Sequence, residues 1–199
     1  FADQTVASIH LRPEDVDLIG TNAGETLQGT HYAETIDGRA GDDFLRGLDG
    51  NDMILGGKGN DSVRGNKGDD IVIGGRGDDE VRGGQGEDYL EGGFGADSLR
   101  GDTETAPGFA DTFVFRSNTA GFDGAGGAAS DTIDDFEAGL DSIQLADYDD
   151  ITGFAAVQNG SDVDLFVTTT SNGTYQIAVV LDSLAADVQS ATFNEDMPF

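Results

Sequence analysis

One nine-residue phrase repeats seven times without a break between residues 38 and 100, as GRAGDDFLR, GLDGNDMIL, GGKGNDSVR, GNKGDDIVI, GGRGDDEVR, GGQGEDYLE and GGFGADSLR. Glycine stands first and fourth, aspartate sixth and an aliphatic residue eighth. Two looser copies precede the run, GTNAGETLQ from Gly20 and GTHYAETID from Gly29, with glutamate in the sixth place. A strict period of this kind constrains the fold more than any local propensity, because the copies must stack in one shared geometry.

Glycines at positions one and four suit the backbone angles of a tight turn. Positions seven to nine predict a strand of about three residues, with position eight facing one way and its neighbours the other. Position eight is Leu27, Ile36, Leu45, Ile54, Val63, Val72, Val81, Leu90 and Leu99, aliphatic in every copy. A glycine-rich linker has no reason to keep that rule, so these residues mark an inward core. Turn, strand, turn, strand gives an all-β flattened coil of parallel strands with eighteen residues per lap. Copies two apart then lie over one another at about 4.8 Å.

The same geometry stacks carboxylates. Asp43, Asp61, Asp79 and Asp97 line one edge above Glu25, and Asp52, Asp70 and Asp88 line the other above Glu34. At strand spacing such groups repel strongly unless a cation lies between them. The other oxygens within reach are turn carbonyls: Gly38 and Ala40, Gly47 and Asp49, Gly56 and Lys58, Gly65 and Lys67, Gly74 and Arg76, Gly83 and Gln85, Gly92 and Phe94. Hard oxygen ligands in a flexible cage favour Ca2+ over zinc or copper, and over magnesium, which holds its waters. Counting stacked pairs gives about seven calcium ions, with the two glutamate pairs the weaker ones.

The pattern GGxGxDxUx, with U aliphatic, resembles the repeats-in-toxin (RTX) family over residues 20–100. That resemblance implies an all-β fold, a calcium-binding right-handed parallel β-roll of nonapeptide repeats. The stretches GFADTFVF (108–115) and SDTIDDFEAGLDSIQL (130–145) resemble the C-terminal region of serralysin-type metalloproteases and other type I secretion cargo. By that resemblance Asp111, Asp131, Asp135 and Asp141 hold further calcium, while Gln144 stands where aspartate is usual. It also implies a secreted, extracellular bacterial protein, exported by a type I secretion apparatus that reads an uncleaved C-terminal signal. The ending Glu195, Asp196, Met197, Pro198, Phe199 is similar to such signals.

Thirty-nine acids against ten bases give a formal charge of −29, which opposes compaction and excludes a nucleic-acid partner. There is no cysteine, hence no disulfide and no thiolate site. No stretch is long and apolar enough for a membrane span. The chain starts at Phe1 and is read as part of something longer, with an upstream domain as a possible partner. Residues 1–19 are expected to form a lead-in packing on the roll, 20–105 the roll, and 106–199 a β cap carrying the export region. Short strands are predicted at 111–115, 132–136, 142–145, 162–168 and 175–181, with a hairpin turn at 171–173.

The two outer faces differ. One carries Met53, Leu55, Ile71, Ile73 and Tyr89, an apolar patch that calls for a cover, either the lead-in or an upstream domain. The other carries Arg46, Arg64, Arg82 and Arg100 at intervals of eighteen. That column either offsets the acidic charge locally or meets an acidic polysaccharide through bidentate contacts. The first is the simpler reading at this net charge.

Only His10 and His31 are present, with no HExxH, GxSxG or cysteine nucleophile, so no catalytic machinery is expected. The function expected is a calcium-binding module that folds outside the cell and supports secretion and folding of a larger exported protein. The alternatives are a polyuronate (alginate)-binding module of an epimerase-like enzyme and a calcium-dependent surface or biofilm structural protein.

Overall fold

The computed structural model describes residues 17–102, 108–116, 131–146, 151–169 and 173–180. Every element within them is a β-strand. One sheet stacks β1 (Asp17–Ile19), β3 (Thr35–Asp37), β5 (Met53–Lys58), β7 (Ile71–Arg76), β9 (Tyr89–Phe94), β11 (Thr112–Arg116) and β13 (Ser142–Ala146), all parallel. The facing sheet stacks β2 (Thr26–Gln28), β4 (Phe44–Asp49), β6 (Ser62–Lys67), β8 (Glu80–Gln85), β10 (Ser98–Asp102) and β12 (Asp131–Ile133). It continues through β16 (Gly173–Val180), β15 (Asp162–Thr169) and β14 (Ile151–Asn159), whose own pairings are antiparallel.

Register follows the sequence period. Ile36 pairs with Ile54, Ile54 with Val72 and Val72 with Leu90, eighteen residues apart each time. From Ile36 to Leu99 every position-eight side chain is fully buried, and the same column runs on through Phe113, Ile133 and Ile143. Leu27, near the open end, is only partly covered.

Three features differ from the sequence reading. The central strands have six residues, not three, because pairing continues through position one to positions two and three of the next copy, as in Gly57↔Gly75 and Lys58↔Arg76. Left-handed backbone falls at positions two and four, not one and four: Gly57 and Gly59 have φ of 110° and 124°. At position two, Arg39, Leu48 and Asn66 adopt it without being glycine. The position-one glycines serve space instead. A Cβ on Gly74 would sit 2.6 Å from both Asp79 Oδ2 and Gly92 O.

The sheets also run past residue 105. Tyr89 pairs with Thr112, Leu99 with Ile133 and Phe113 with Ile143, so the last laps take 23, 34 and 30 residues while register is kept. The laps are of unequal length, so nothing in a fixed period marks them. Strands β11, β12, β13, β15 and β16 match the predicted tail strands to within a few residues, and β14 was not predicted. Val163, Leu165 and Val167 alternate inward as expected. Residues 1–16, most of the predicted turn at 171–173 and the ending at 195–199 lie outside the described residues, though β1 joins the roll directly.

Candidate metal centre

Each lap turns at two edges, and a position-six carboxylate stands at each turn. On the first edge the Oδ1 atoms of Asp43, Asp61, Asp79 and Asp97 each accept the backbone N–H of the acid one lap earlier, at 2.7 Å in every case. Asp131 continues the series by accepting from Asp97 N at 3.0 Å. On the second edge Asp52, Asp70, Asp88, Asp111 and Asp141 do the same, at 2.8–3.0 Å. Two acidic ladders therefore climb the roll, and three of the four tail aspartates extend them. The fourth, Asp135, lies off both ladders and accepts from Gly101 N and Asp102 N at 2.9 and 2.8 Å.

The second carboxylate oxygen is where the site acquires its chemistry. The Oδ2 atoms of Asp43, Asp52, Asp61, Asp70, Asp79, Asp88 and Asp97 are all buried without a hydrogen-bond partner. Leaving so many buried acceptors unmatched is costly. Burial raises these carboxyls first of all. The donated N–H opposes the rise, and negative neighbours add to it, bringing Asp52 to about 6, Asp70 to about 7, and Asp79 and Asp88 to about 8. Asp97 and Asp141 reach about 6 and Asp111 about 7, again chiefly through burial.

Main-chain oxygens share the same cradle. A Cβ on Gly38 would lie 2.7 Å from Asp43 Oδ2 and 2.6 Å from Gly56 O, so a carboxylate and a position-one carbonyl of the next lap converge beside a glycine. The position-three carbonyls of Lys58, Lys67, Arg76, Gln85 and Phe94 each accept one N–H from a position-four glycine of the lap before, at 2.7–2.9 Å. Each retains a second lone pair. Among the described residues no three acidic or histidine side chains gather as a ready-made ligand cluster. The donor set is therefore one carboxylate per turn plus carbonyls. Oxygen-only donors with orphaned, buried anionic atoms fit a hard divalent cation such as Ca2+.

The first rungs differ. Glu25 and Glu34 reach back into their own turns, where Thr21 N and Thr30 N donate to Oε2 at 2.8 and 3.0 Å. The threonine hydroxyls contact the other oxygen of each. These carboxylates are satisfied by protein, so a cation has less to compensate there.

A second set of rungs escaped the sequence reading. At position five, Asp42 Oδ1 accepts from Asn60 N, Asn60 Oδ1 from Asp78 N and Asp78 Oδ1 from Ala96 N, at 2.9–3.1 Å. Asn51, Asp69 and Glu87 repeat this on the other edge. These bonds run in the opposite sense to those of position six, so the lap junctions between Asp42 and Ala96 and between Asn51 and Glu87 are clasped both ways. The signal was visible as Asp or Asn recurring at position five.

The arginine column is in register, Arg46↔Arg64↔Arg82↔Arg100. Arg64 reaches Glu80 at 3.4 Å, Arg82 contacts the same carboxylate, Arg100 lies 3.7 Å from Asp134, and Arg46 stacks over Phe44 at 4.5 Å. Those contacts accord with local offset of charge. On the other face Ile71 and Ile73 are half-buried and Met53 is 40% exposed. The expected cover from residues 1–16 lies outside the described residues. His31 pairs with the carboxylate of Asp49 at 3.0 Å on an exposed turn.

From Glu34 onward the turns of this parallel β-roll carry buried acidic rungs, an arrangement that defines a class of calcium-binding solenoid. The model of the RTX calcium-binding nonapeptide repeat matches residues 19–54, 28–63 and 64–99, so the array carries repeats of the RTX type. No curated protein sequence matches the chain. Among solved structures, the extracellular lipase LipA from Serratia marcescens is similar at 14% identity and a TM-score of 0.33 over 89% of this chain. This chain spans 39% of the lipase. The AlgE6R3 subunit from the Azotobacter vinelandii mannuronan C5-epimerase is similar at 21% identity and a TM-score of 0.32, over 89% of this chain and 81% of that one.

Proposed function

We propose that this chain is a calcium-triggered folding module of a secreted bacterial protein, structural and not catalytic, that keeps its cargo threadable for type I export and sets as a roll outside the cell. The observation that carries this is the row of seven buried Oδ2 atoms with no partner, held in place by Oδ1 bonds to the neighbouring lap. Where free calcium is scarce, those rungs and a formal charge of −29 favour the extended chain. Where it is plentiful, binding energy becomes folding energy. The ligands are the position-six carboxylates with the carbonyls of positions one and three.

About seven ions occupy the array, bringing the formal charge to about −15. The steps from Asp97 to Asp131, Asp88 to Asp111 and Asp111 to Asp141 continue the same ladders and offer further places. The terminal strands close one end of the roll, as end units of repeat proteins must. Circular dichroism tests the reading. The chain should be largely disordered in chelator and gain its β signal on adding calcium, whereas full β-structure in chelator would refute the switch.

A further inference from the structure

Cations are scarce in this chain, ten against thirty-nine acids, yet Arg39, Lys58, Arg76 and Arg116 all line one cavity. It has a volume of about 400 Å³ and lies across the C-terminal ends of β5, β7 and β9. Lys58, Arg76 and Phe94 stand in register along it, and Gly57, Gly75 and Gly93 beside them add no side chain to fill the space. The guanidinium of Arg76 lies over the Phe94 ring at 5.3 Å. Ile73, Val114, Phe115 and Ile177 supply further apolar lining, the last three of them buried.

Two acids share the lining, and both are already engaged. Glu91 is held by Arg116 at 2.8 Å, and Asp131 accepts Asp97 N at 3.0 Å within its ladder. Arg39, Lys58 and Arg76 form no ion pair among the described residues. Cations that merely offset the chain's own acids lie against carboxylates, as Arg64 and Arg82 do with Glu80 on the opposite sheet. These three do not. Unpaired positive charge beside an apolar hollow, in a chain of −29, fits negative charge brought from outside.

We propose that this cavity binds a small organic anion with an apolar body, its acidic head between Lys58 and Arg76 and its body against Phe94, Ile73 and Val114. Guanidinium and ammonium donors suit a carboxylate, sulfonate or phosphate head. The volume is that of a small-molecule site. A metal ion is repelled by these cations, and a wholly hydrophilic anion leaves the apolar surface unfilled. The site goes beyond calcium binding, for which the roll serves here only as scaffold.

Fluorescence titration of the full chain, folded in saturating calcium, with naphthalene-1-sulfonate tests it. One molecule should bind per chain, with 1-naphthalenemethanol and methanesulfonate each at least about tenfold weaker, since each lacks one half of the ligand. Lys58→Gln and Arg76→Gln replace exposed side chains and should each weaken the probe by about tenfold, while Arg46→Gln on the opposite sheet should not. Circular dichroism of the same samples reports the fold. A folded roll that takes up no probe overturns the site and leaves the calcium reading standing. Binding indifferent to both substitutions, or weakened as much by Arg46→Gln, also overturns it. Methanesulfonate binding as well as the probe would make the cavity a plain anion site and overturn the apolar half. A wild-type chain with no β signal in calcium would sink the proposed function and this site with it.

Discussion

Asp70 holds two roles that conflict without metal. Its Oδ1 ties Asp52 N of the lap below at 2.8 Å, while its Oδ2 is sealed beside Gly65 with no partner. Asp70→Asn preserves the tie and loses the anionic ligand. It should bind one calcium fewer and lower the melting temperature in calcium, as calorimetry at saturating calcium would show. The raised carboxyls set a proton linkage as well. Each binds its proton more tightly in the folded roll than in the unfolded chain, where the ordinary value is 3.8. Protonation therefore supports the calcium-free roll fully below about 4, and that support is lost as pH rises through about 6 to 8. Calcium takes the ionised form of these carboxyls, so the calcium affinity of the folding transition should fall on acidification, as calcium titrations at a series of pH values would show.

Glycine identity was legible at the residue scale, but its reason was not. Position one is glycine because Oδ2 occupies the space, and a Cβ on Gly65 would lie 2.7 Å from Asp70 Cγ. Gly65→Ala should destabilise the calcium-bound roll by about 2 kcal/mol, the scale of overpacking a filled site. Leu48 shows the converse, with φ at 93°. Leu48→Gly relieves left-handed strain of roughly 1–2 kcal/mol against a smaller entropic cost, a net gain of about 0.5–1 kcal/mol. Chemical denaturation in calcium measures both.

Among the elements, the position-eight column does most to hold the sheets together, and it is the part most plainly written in the sequence. Val72 is fully buried between Ile54 and Leu90. Val72→Ala should cost about 2 kcal/mol in calcium, from lost burial plus the cavity left. Strand length was not legible, because pairing at positions two and three depends on backbone angles that a period does not encode. The continuation of the roll through Phe113, Ile133 and Ile143 was hidden by laps of unequal length, although each strand on its own was foreseen. Strand β14 was missed because Gly153, Ala155 and Ala156 blur any alternation in ITGFAAVQN.

For the whole molecule, stacked copies convert one local motif into a global dependence on ions. The apolar column alone could hold two sheets together, but it brings the acidic edges into register and so creates the repulsion that calcium must offset. The most direct measurement is diffraction from calcium-grown crystals with anomalous data. Peaks beside the Oδ2 atoms along both ladders, between Asp61 and Asp79 and between Asp70 and Asp88 among others, are the predicted result. An ordered roll with no cation along either edge would contradict the account.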